Sequence, residues 1–289
     1  MPKKLDILQL CHKPPIPAVD GGCIAMNNVT QGLLSLGHHV KLLTIFTHKH
    51  EFDERKLSDE YRSTTEIEGV FVDTRINVVD AFSNLILRDS YNVSRFFSPD
   101  FDRKLTQLLK RRSYDVVHLE SLFMTPYIPT IRRHSKARLV LRSHNLEYII
   151  WNRMAKGTKS LPKRTYLNYL SKILKDYEIN VMNDVDGIAA ITEQDKAKYE
   201  QLGYAKPIAN IPFGVDISCY EPAPSPEEVS LFHLGSMDWF PNIEGMTWFL
   251  DEVWPLIHAK HPEVKLYLAG RKMPDEFYNN PPPQVEIVG

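Results

Sequence analysis

What constrains this chain most is the order of its segments. Short apolar runs alternate with helix-length amphipathic stretches, and after a proline-rich interval the alternation begins again. Leu5 to Leu10 predicts a buried strand. Pro14, Pro15 and Pro17 then lead to Asp20-Gly21-Gly22. Met26, Val29, Leu33 and Leu36 recur at helical spacing, with Gly37 as the stop, and Val40 to Phe46 is the next strand. This strand–turn–helix–strand unit is the opening of a Rossmann-like half. The pattern continues through strands at 70–76, 115–119, 137–142, 187–191 and 207–211. Helices are predicted from Pro99 to about Arg111, over about 163–183 with Tyr166, Leu170, Ile173, Tyr177 and Val181 on one face, and from Thr192 to about Leu202. Strands that alternate with helices form a parallel sheet covered on both faces.

Residues 212–226 hold Pro212, Pro222, Pro224 and Pro226 and show no periodicity, as expected of a linker. A second start follows, with strands at 229–234, 264–269 and 284–288 and a helix over about 242–257. The expected fold is α/β with two Rossmann-like domains: residues 1–211, a linker over 212–226, and residues 227–289. A doubly wound domain has on the order of 150 residues. The second domain is therefore expected to be incomplete, the start of a longer one.

Composition excludes several classes. Hydrophobic residues make up 43% and charged residues 25%, and 35 basic against 36 acidic residues give a net charge of −1. Nothing in that balance favours nucleic acid. No apolar run approaches the roughly 20 residues that span a bilayer. Met1 to Leu10 is too short and interrupted for a signal peptide. Cys11, Cys23 and Cys219 lack the close spacing of a zinc site and fit a reduced cytoplasmic setting. The glycosylation-like triplets at Asn28 and Asn92 have no secretion signal to give them meaning.

Several constellations could carry chemistry. Gly21 and Gly22 follow the first strand, where backbone N–H groups can approach an anion. His118 and His144 both fall at the C-terminal ends of parallel strands, the edge at which open α/β sheets bind ligands, with Glu120, Asn145 and Glu147 beside them. Asp100-Phe101-Asp102 and Asp184-Val185-Asp186 have the D-x-D spacing that can hold a divalent cation, but each lies at a helix end, and no metal site is expected. Residues 148–175 contain seven basic residues and no acidic one, interleaved with Trp151, Tyr166 and Tyr169, a pattern suited to an anionic membrane surface. Arg271 and Lys272 follow the second strand of the second half and could meet phosphates.

In this order the pieces resemble a family 4 glycosyltransferase of the GT-B fold. The stretches that carry the resemblance are Asp20-Gly21-Gly22 with its helix, Tyr114 to His118, Ser143 to Glu147, Asp186 to Glu193, and Pro212-Phe213-Gly214-Val215-Asp216. The resemblance implies metal-independent transfer of a hexosyl-type sugar, with retention, from a nucleotide-sugar donor to a hydroxyl of a glycan or glycolipid acceptor. No further cofactor is implied. It places His144 at the reaction centre and Gly21 and Gly22 near the diphosphate and acceptor. Donor or acceptor contacts are expected from His118, Glu120, Asn145, Asn242, Arg271 and Lys272. Where many members carry an Arg and a Lys after the first strand of the second domain, this chain has Gly235 to Asn242, so Arg271 and Lys272 are the substitutes. The setting implied is polysaccharide or glycolipid assembly, in the cytoplasm or on the inner face of the plasma membrane. With its second half incomplete, the 289-residue chain is expected to be inactive alone. Two alternatives remain at this point: another GT-B enzyme such as a sugar-nucleotide epimerase, and a binding module for a sugar nucleotide or lipid acceptor without turnover.

Overall fold

The computed structural model describes residues 3–75, 90–224 and 228–289. The chain divides into two compact units, Met1–Asp216 and Ile217–Gly289.

The first unit is built on a parallel sheet of seven strands, in the order β3-β2-β1-β4-β5-β6-β7. These are β1 (Asp6–Cys11), β2 (His39–Phe46), β3 (Glu68–Phe71), β4 (Val116–Glu120), β5 (Arg138–Ser143), β6 (Gly187–Ala190) and β7 (Ile208–Asn210). The strand order reverses between β2 and β4, on either side of β1, which is the switch point where ligands gather in such sheets. The expected third strand begins and ends earlier than the sequence suggested, and Ile76 lies outside the described residues.

Side chains alternate across the sheet. Leu8, Leu10, Val117, Leu119, Leu139 and Leu141 enter one large core, together with Phe101, Leu105 and Leu109 from α4 (Pro99–Arg111). Cys11, Val40 and Leu42 face the other way, against Met26 of α1 (Gly21–Ser35) and Tyr61 of α2 (Asp59–Thr65). The short helix α5 (Ile128–His134) packs on α4, and α3 (Tyr91–Ser94) packs on the turn Leu122–Tyr127. Ser98 caps α4 and Pro99 opens it, so its predicted bounds are those observed.

Two helix faces differ from expectation. The buried face of α1 is Cys23, Ala25, Met26 and Thr30, while Leu36 is exposed. The hydroxyl of Thr30 reaches a buried strand residue, Gln9 (2.9 Å), so a polar group holds the face that an apolar reading would have turned outward. The long helix α7 (Leu161–Met182) buries Leu167, Ser171, Leu174, Glu178 and Val181, and Tyr166 is 45% exposed. Its stripe contains two polar residues because it packs on a helix that hydropathy missed, α6 (Glu147–Gly157). Ser171 Oγ donates to the Tyr148 carbonyl (2.9 Å). The Glu178 carboxylate accepts the N–H groups of Glu147 and Tyr148 (2.9 and 3.0 Å), which gives α6 the cap its own sequence lacks. Beyond it, Thr192 caps α8 (Glu193–Gln201) through the Asp195 amide.

The second unit has three parallel strands in the order β10-β9-β8: β8 (Ser230–Leu234), β9 (Lys265–Ala269) and β10 (Val285–Ile287). The helix expected over 242–257 is two helices, α9 (Phe240–Trp248) and α10 (Trp254–Lys260), joined by a π turn at Phe249–Val253. Pro255 is the reason, since it has no N–H to give and its ring crowds the carbonyl one turn back. A short helix, α11 (Asp275–Asn279), lies between β9 and β10. Met246, Leu250, Trp254, Leu266, Leu268 and Phe277 form the core. Gly270 adopts φ +156°, and a Cβ there would stand 1.8 Å from the Gly235 carbonyl oxygen, so two glycines allow the ends of β8 and β9 to touch.

Candidate active site at the C-terminal edge of the first sheet

The register of the sheet assembles the site. Gln9 on β1 lies opposite His118 on β4, and Glu120 lies opposite Arg142 on β5. Residues two apart on a strand share a face, so Gln9, His118, Glu120 and Arg142 all project on the side that α1 covers. Polar residues from three adjacent strands therefore meet below the edge where β1, β4 and β5 end.

Glu120 is the centre of this group and is fully buried. One carboxylate oxygen accepts from Gln9 Nε2 (3.0 Å) and His118 Nε2 (3.0 Å), and the other from His144 Nε2 (2.8 Å). Arg142 Nε stands 3.8 Å away as an ion pair. Burial alone would push the Glu120 pKa up, but the two histidines overcome it and hold the carboxyl well below the usual carboxylate range. Burial pushes the Arg142 pKa down, against the pull of Glu120. The ring of Phe213 covers its guanidinium at 5.3 Å and meets the His144 ring edge-on at 6.4 Å. Asn28 Nδ2 donates to the Gly214 carbonyl (2.6 Å), so residues 213–214 are fastened to the first unit rather than free as linker. Ser225 and Pro226 lie outside the described residues.

His12, just beyond β1, completes the cluster. Its Nδ1 lies 2.9 Å from the Glu120 carbonyl and 3.1 Å from Ser121 Oγ, and its ring is 5.7 Å from that of His144. Burial, with His144 and Lys13 nearby, lowers its pKa to about 3, so the ring is neutral near pH 7. Ser121 itself has φ +87°, ψ 164°, a conformation that costs a non-glycine residue about 1–3 kcal/mol and is held by the bond from its amide to the Arg142 carbonyl (3.0 Å).

Of the residues singled out in the sequence, the structure brings His118, Glu120 and His144 together. Asn145 lies in the turn after His144, exposed, its carbonyl accepting from Ser143 Oγ (3.1 Å). Burial raises the Glu147 pKa to about 7, and burial raises that of Glu178 to about 8. Gly21 and Gly22 are not a loop but the first residues of α1, and neither has a positive φ. Gly21 has open space where a Cβ would be, while at Gly22 a Cβ would meet Lys13 Nζ at 2.8 Å. Asp20 caps the helix at the Cys23 amide (2.9 Å) and grips Lys13 with both oxygens (2.7 Å each) and His50 (3.3 Å).

In the second unit Arg271 and Lys272 both pair with Asp238 (3.4 and 3.6 Å), and the Asn242 amide braces the turn at the Ser236 carbonyl (2.9 Å). The D-x-D pairs serve structure. Asp102 accepts from Thr130 (2.5 Å), and Asp186 accepts the Leu139 amide (2.8 Å) and pairs with Arg132 (3.0 Å).

Gln9, His12, Arg142 and Phe213 were not singled out from the sequence. A signal existed for two of them, since a glutamine and an arginine inside otherwise apolar strands need buried partners. His12 and Phe213 carry no such mark.

Residues 19–218 match the sequence profile of Glycosyltransferase Family 4. The chain belongs to this family. The match covers the whole network from Asp20 to Phe213 apart from Gln9, His12 and Lys13. A curated relative, an uncharacterized 44.6 kDa protein in the cps region of Klebsiella pneumoniae, is 24% identical over 267 residues, 89% of this chain. The chain spans 62% of that relative's length. Among solved structures, the sucrose-phosphate synthase of Thermosynechococcus elongatus is 16% identical with a TM-score of 0.62, over 98% of this chain and 70% of that one. HepE of Anabaena, solved with UDP and glucose, is 13% identical with a TM-score of 0.52, over 99% and 69%. A TarM variant of S. aureus, solved with UDP and an alpha-GlcNAc-glycerol, is 10% identical with a TM-score of 0.54, over 98% and 77%. At these identities the likeness shows the fold, which is GT-B.

Proposed function

We propose that this family member transfers a sugar from a nucleotide-sugar donor to an acceptor hydroxyl, with the first unit on the acceptor side and the second on the donor side. The observation that carries the reading is the junction of His144, Glu120 and His12 at the ligand-binding edge of a family 4 sheet. HepE and the TarM variant were solved with UDP, which favours a uridine nucleotide among the donors to test first. The relative in a cps region supports a role in polysaccharide assembly.

The chemistry follows from the hydrogen bonds. An ionised carboxylate only accepts, so of the two tautomers of the His144 ring Glu120 selects the one with its proton on Nε2. Nδ1 then offers a lone pair to a sugar or acceptor hydroxyl. In retaining transfer the leaving phosphate takes the acceptor proton on the face it departs from. The protein's part is to orient the reactants and to hold preorganised dipoles around developing charge, with no catalytic metal required. Arg271 and Lys272 are the residues of the second unit proposed to meet the diphosphate, by release from Asp238. His118, Asn145 and Asn242 are proposed to line the bound substrates, and Gly21 and Gly22 leave α1 open to them.

Peripheral attachment to the cytoplasmic membrane face is part of the reading. Arg153, Lys156, Lys159, Lys163, Arg164, Lys172 and Lys175 are all exposed on α6, α7 and the turn between them, beside exposed Leu161, Tyr166 and Tyr169. Among the described residues no helix is long and apolar enough to cross a membrane.

The test is a thermal-shift screen of nucleotide sugars on the full-length protein, followed by product analysis with the stabilising donor. Transfer to an acceptor supports the reading. Epimer formation or binding without turnover would replace it by one of the two alternatives. His144→Ala is expected to lower turnover at least about tenfold, near 1.4 kcal/mol of barrier, with folding intact.

A further inference from the structure

One residue holds two rings. The Glu120 side chain fixes His144, and the Glu120 backbone fixes His12, whose Nδ1 lies 2.9 Å from the Glu120 carbonyl oxygen. A carbonyl only accepts, so Nδ1 of His12 carries the proton and Nε2 carries the lone pair. Ser121 Oγ, 3.1 Å from the same Nδ1, shares that proton, and it belongs to the residue held at φ +87°. Rings close in on His12 from three sides: Phe123 at 5.6 Å, His144 at 5.7 Å and Phe96 at 6.4 Å. Its Nε2 meets no hydrogen-bond partner among the described residues. Hydrogen bonds, backbone strain and ring contacts all serve to point a bare acceptor in one direction.

His12 lines a cavity of about 460 Å³ in the first unit, beyond the ends of β1, β2 and β3. That volume falls within the roughly 300–1,000 Å³ of small-molecule sites. Thr47 and Thr74 line it too, and Phe96 supplies an aromatic wall. The charges on the wall are engaged. Lys13 pairs with Asp20 at 2.7 Å and Arg75 with Asp73 at 2.9 Å, Arg95 lies over the Phe96 ring, and Lys49 has an interaction of its own. An anionic ligand would have to displace Asp20 or Asp73 from a cation already held. A neutral ligand with hydroxyl hydrogens meets the bare Nε2 without any such exchange.

We infer that His12 is a specificity-determining residue of this site: its Nε2 accepts a hydrogen bond from one hydroxyl of a neutral sugar seated in the cavity, and that sugar is the acceptor. The inference rests on the glycosyltransferase reading for the word acceptor, and on the geometry for the hydroxyl. The tautomer of His144 that Glu120 selects presents Nδ1, so two acceptors stand on rings 5.7 Å apart. A polyhydroxyl ligand can donate to both. A ligand lacking the hydrogen that His12 awaits would seal Nε2 from water unpaired, which is how a site built for a hydroxyl rejects the analogue without it. The His12 ring stays neutral near pH 7, so the bond orients the sugar and moves no proton.

The experiment is an NMR titration of the protein, labelled with heavy nitrogen in its histidines, with methyl glucoside, methyl galactoside and methyl mannoside. The glycoside that binds best is then compared with its monodeoxy forms. The His12 ring is expected to carry its proton on Nδ1 throughout, with the Nε2 signal shifting as the glycoside binds. One monodeoxy form is expected to bind wild type about fivefold more weakly, the effect of one lost hydrogen bond. His12→Asn keeps an amide N–H for the Glu120 carbonyl and removes the distal acceptor. It is expected to bind the parent glycoside about fivefold more weakly and to treat that deoxy form as the equal of the parent. His12→Gln, whose amide oxygen reaches the place of Nε2, is expected to restore part of the discrimination. A merely structural role for His12 would weaken every glycoside alike. A proton on Nε2, no binding by any of the glycosides, or the same deoxy penalty in wild type and His12→Asn overturns the inference. If the coupling to His12 is found while no nucleotide sugar supports transfer, the glycosyltransferase reading fails and the hydroxyl site stands. If transfer proceeds without the coupling, the inference alone fails.

Discussion

Replacing Glu120 with Gln changes one atom and tests the whole network. The side chain keeps its volume and one acceptor oxygen, so Gln9 Nε2 and His118 Nε2 retain a partner. The other oxygen becomes an NH₂ group pointing at His144 Nε2, now 2.8 Å from a donor instead of an acceptor. His144 can relieve that clash only by moving its proton to Nδ1, which turns its substrate-facing nitrogen from acceptor to donor. At the same time Arg142 loses the one buried counter-ion it has among the described residues. Breaking a buried pair costs about 3–5 kcal/mol. The separation of 3.8 Å lies beyond hydrogen-bond range, which places this one at the low end, about 3 kcal/mol. The mispaired histidine adds about 1 kcal/mol. Urea unfolding, followed by hydrogen exchange of peptides from β1, β4 and β5, reads the first unit separately from the second. With a urea dependence of about 2 kcal/mol per molar, the midpoint of those peptides falls by roughly 1.5–2 M. The loss is pH-dependent in a defined sense. The native pKa of Glu120 lies below its unfolded value, so its contribution is present above the unfolded pKa and disappears as pH falls through the native one. Wild type and variant therefore converge in acid. An unchanged midpoint at pH 7 would refute the claim that the carboxylate organises the two histidines and the arginine.

His12 contributes to acid lability in the same direction. The native ring stays neutral down to about pH 3 while the unfolded one takes a proton near 6.5, so stability is full above that and falls as pH drops between the two. The slope is at most about 1.4 kcal/mol per pH unit and smaller for a half-buried ring. His12→Asn is expected to flatten it, as read by thermal melts from pH 7 to 4. Gly270→Ala is expected to cost the second unit at least about 2 kcal/mol, because the new Cβ meets backbone at Gly235 and not a movable side chain. Hydrogen exchange should show β8 and β9 unprotected and the first sheet unaffected, and protection equal to wild type would contradict the close contact. In liposome sedimentation, anionic vesicles are expected to bind more protein than neutral ones, with the difference fading in salt. Equal binding to both would remove the basic face of α6 and α7 from the functional account.

Much of the fold is legible because the strands keep a strict rhythm. In β4 and β5 the residues Val117, Leu119, Leu139 and Leu141 mark the core face. The intervening His118, Glu120 and Arg142 mark the site face, at strand ends where a parallel sheet binds ligands. Of the four side chains gathered around the Glu120 carboxylate, two, His118 and His144, could be chosen on that ground alone. What hydropathy conceals is every place where a polar residue does structural work in the interior. Thr30 and Gln9 set the buried face of α1. Ser171 and Glu178 set that of α7, and their stripe reads as solvent-facing until α6 is in view. Pro255 splits a helix whose amphipathic period runs through the break. The close approach of His12 to His144 depends on the pairing of β1 with β4 across more than a hundred residues, which no local pattern encodes.

The Glu178 cap has a consequence for how this chain can be recombined. The first turn of α6 is secured by a carboxylate 31 positions downstream, and the same turn begins three residues after His144. A chimaera with a relative that exchanges α6 alone would inherit a helix start whose anchor stayed behind, and one that exchanges α7 alone would inherit an anchor with nothing to hold. The two helices are heritable only as a pair. Crossovers that fall before Glu147 or after Met182 preserve the seating of the His144 turn, and those between them sever it.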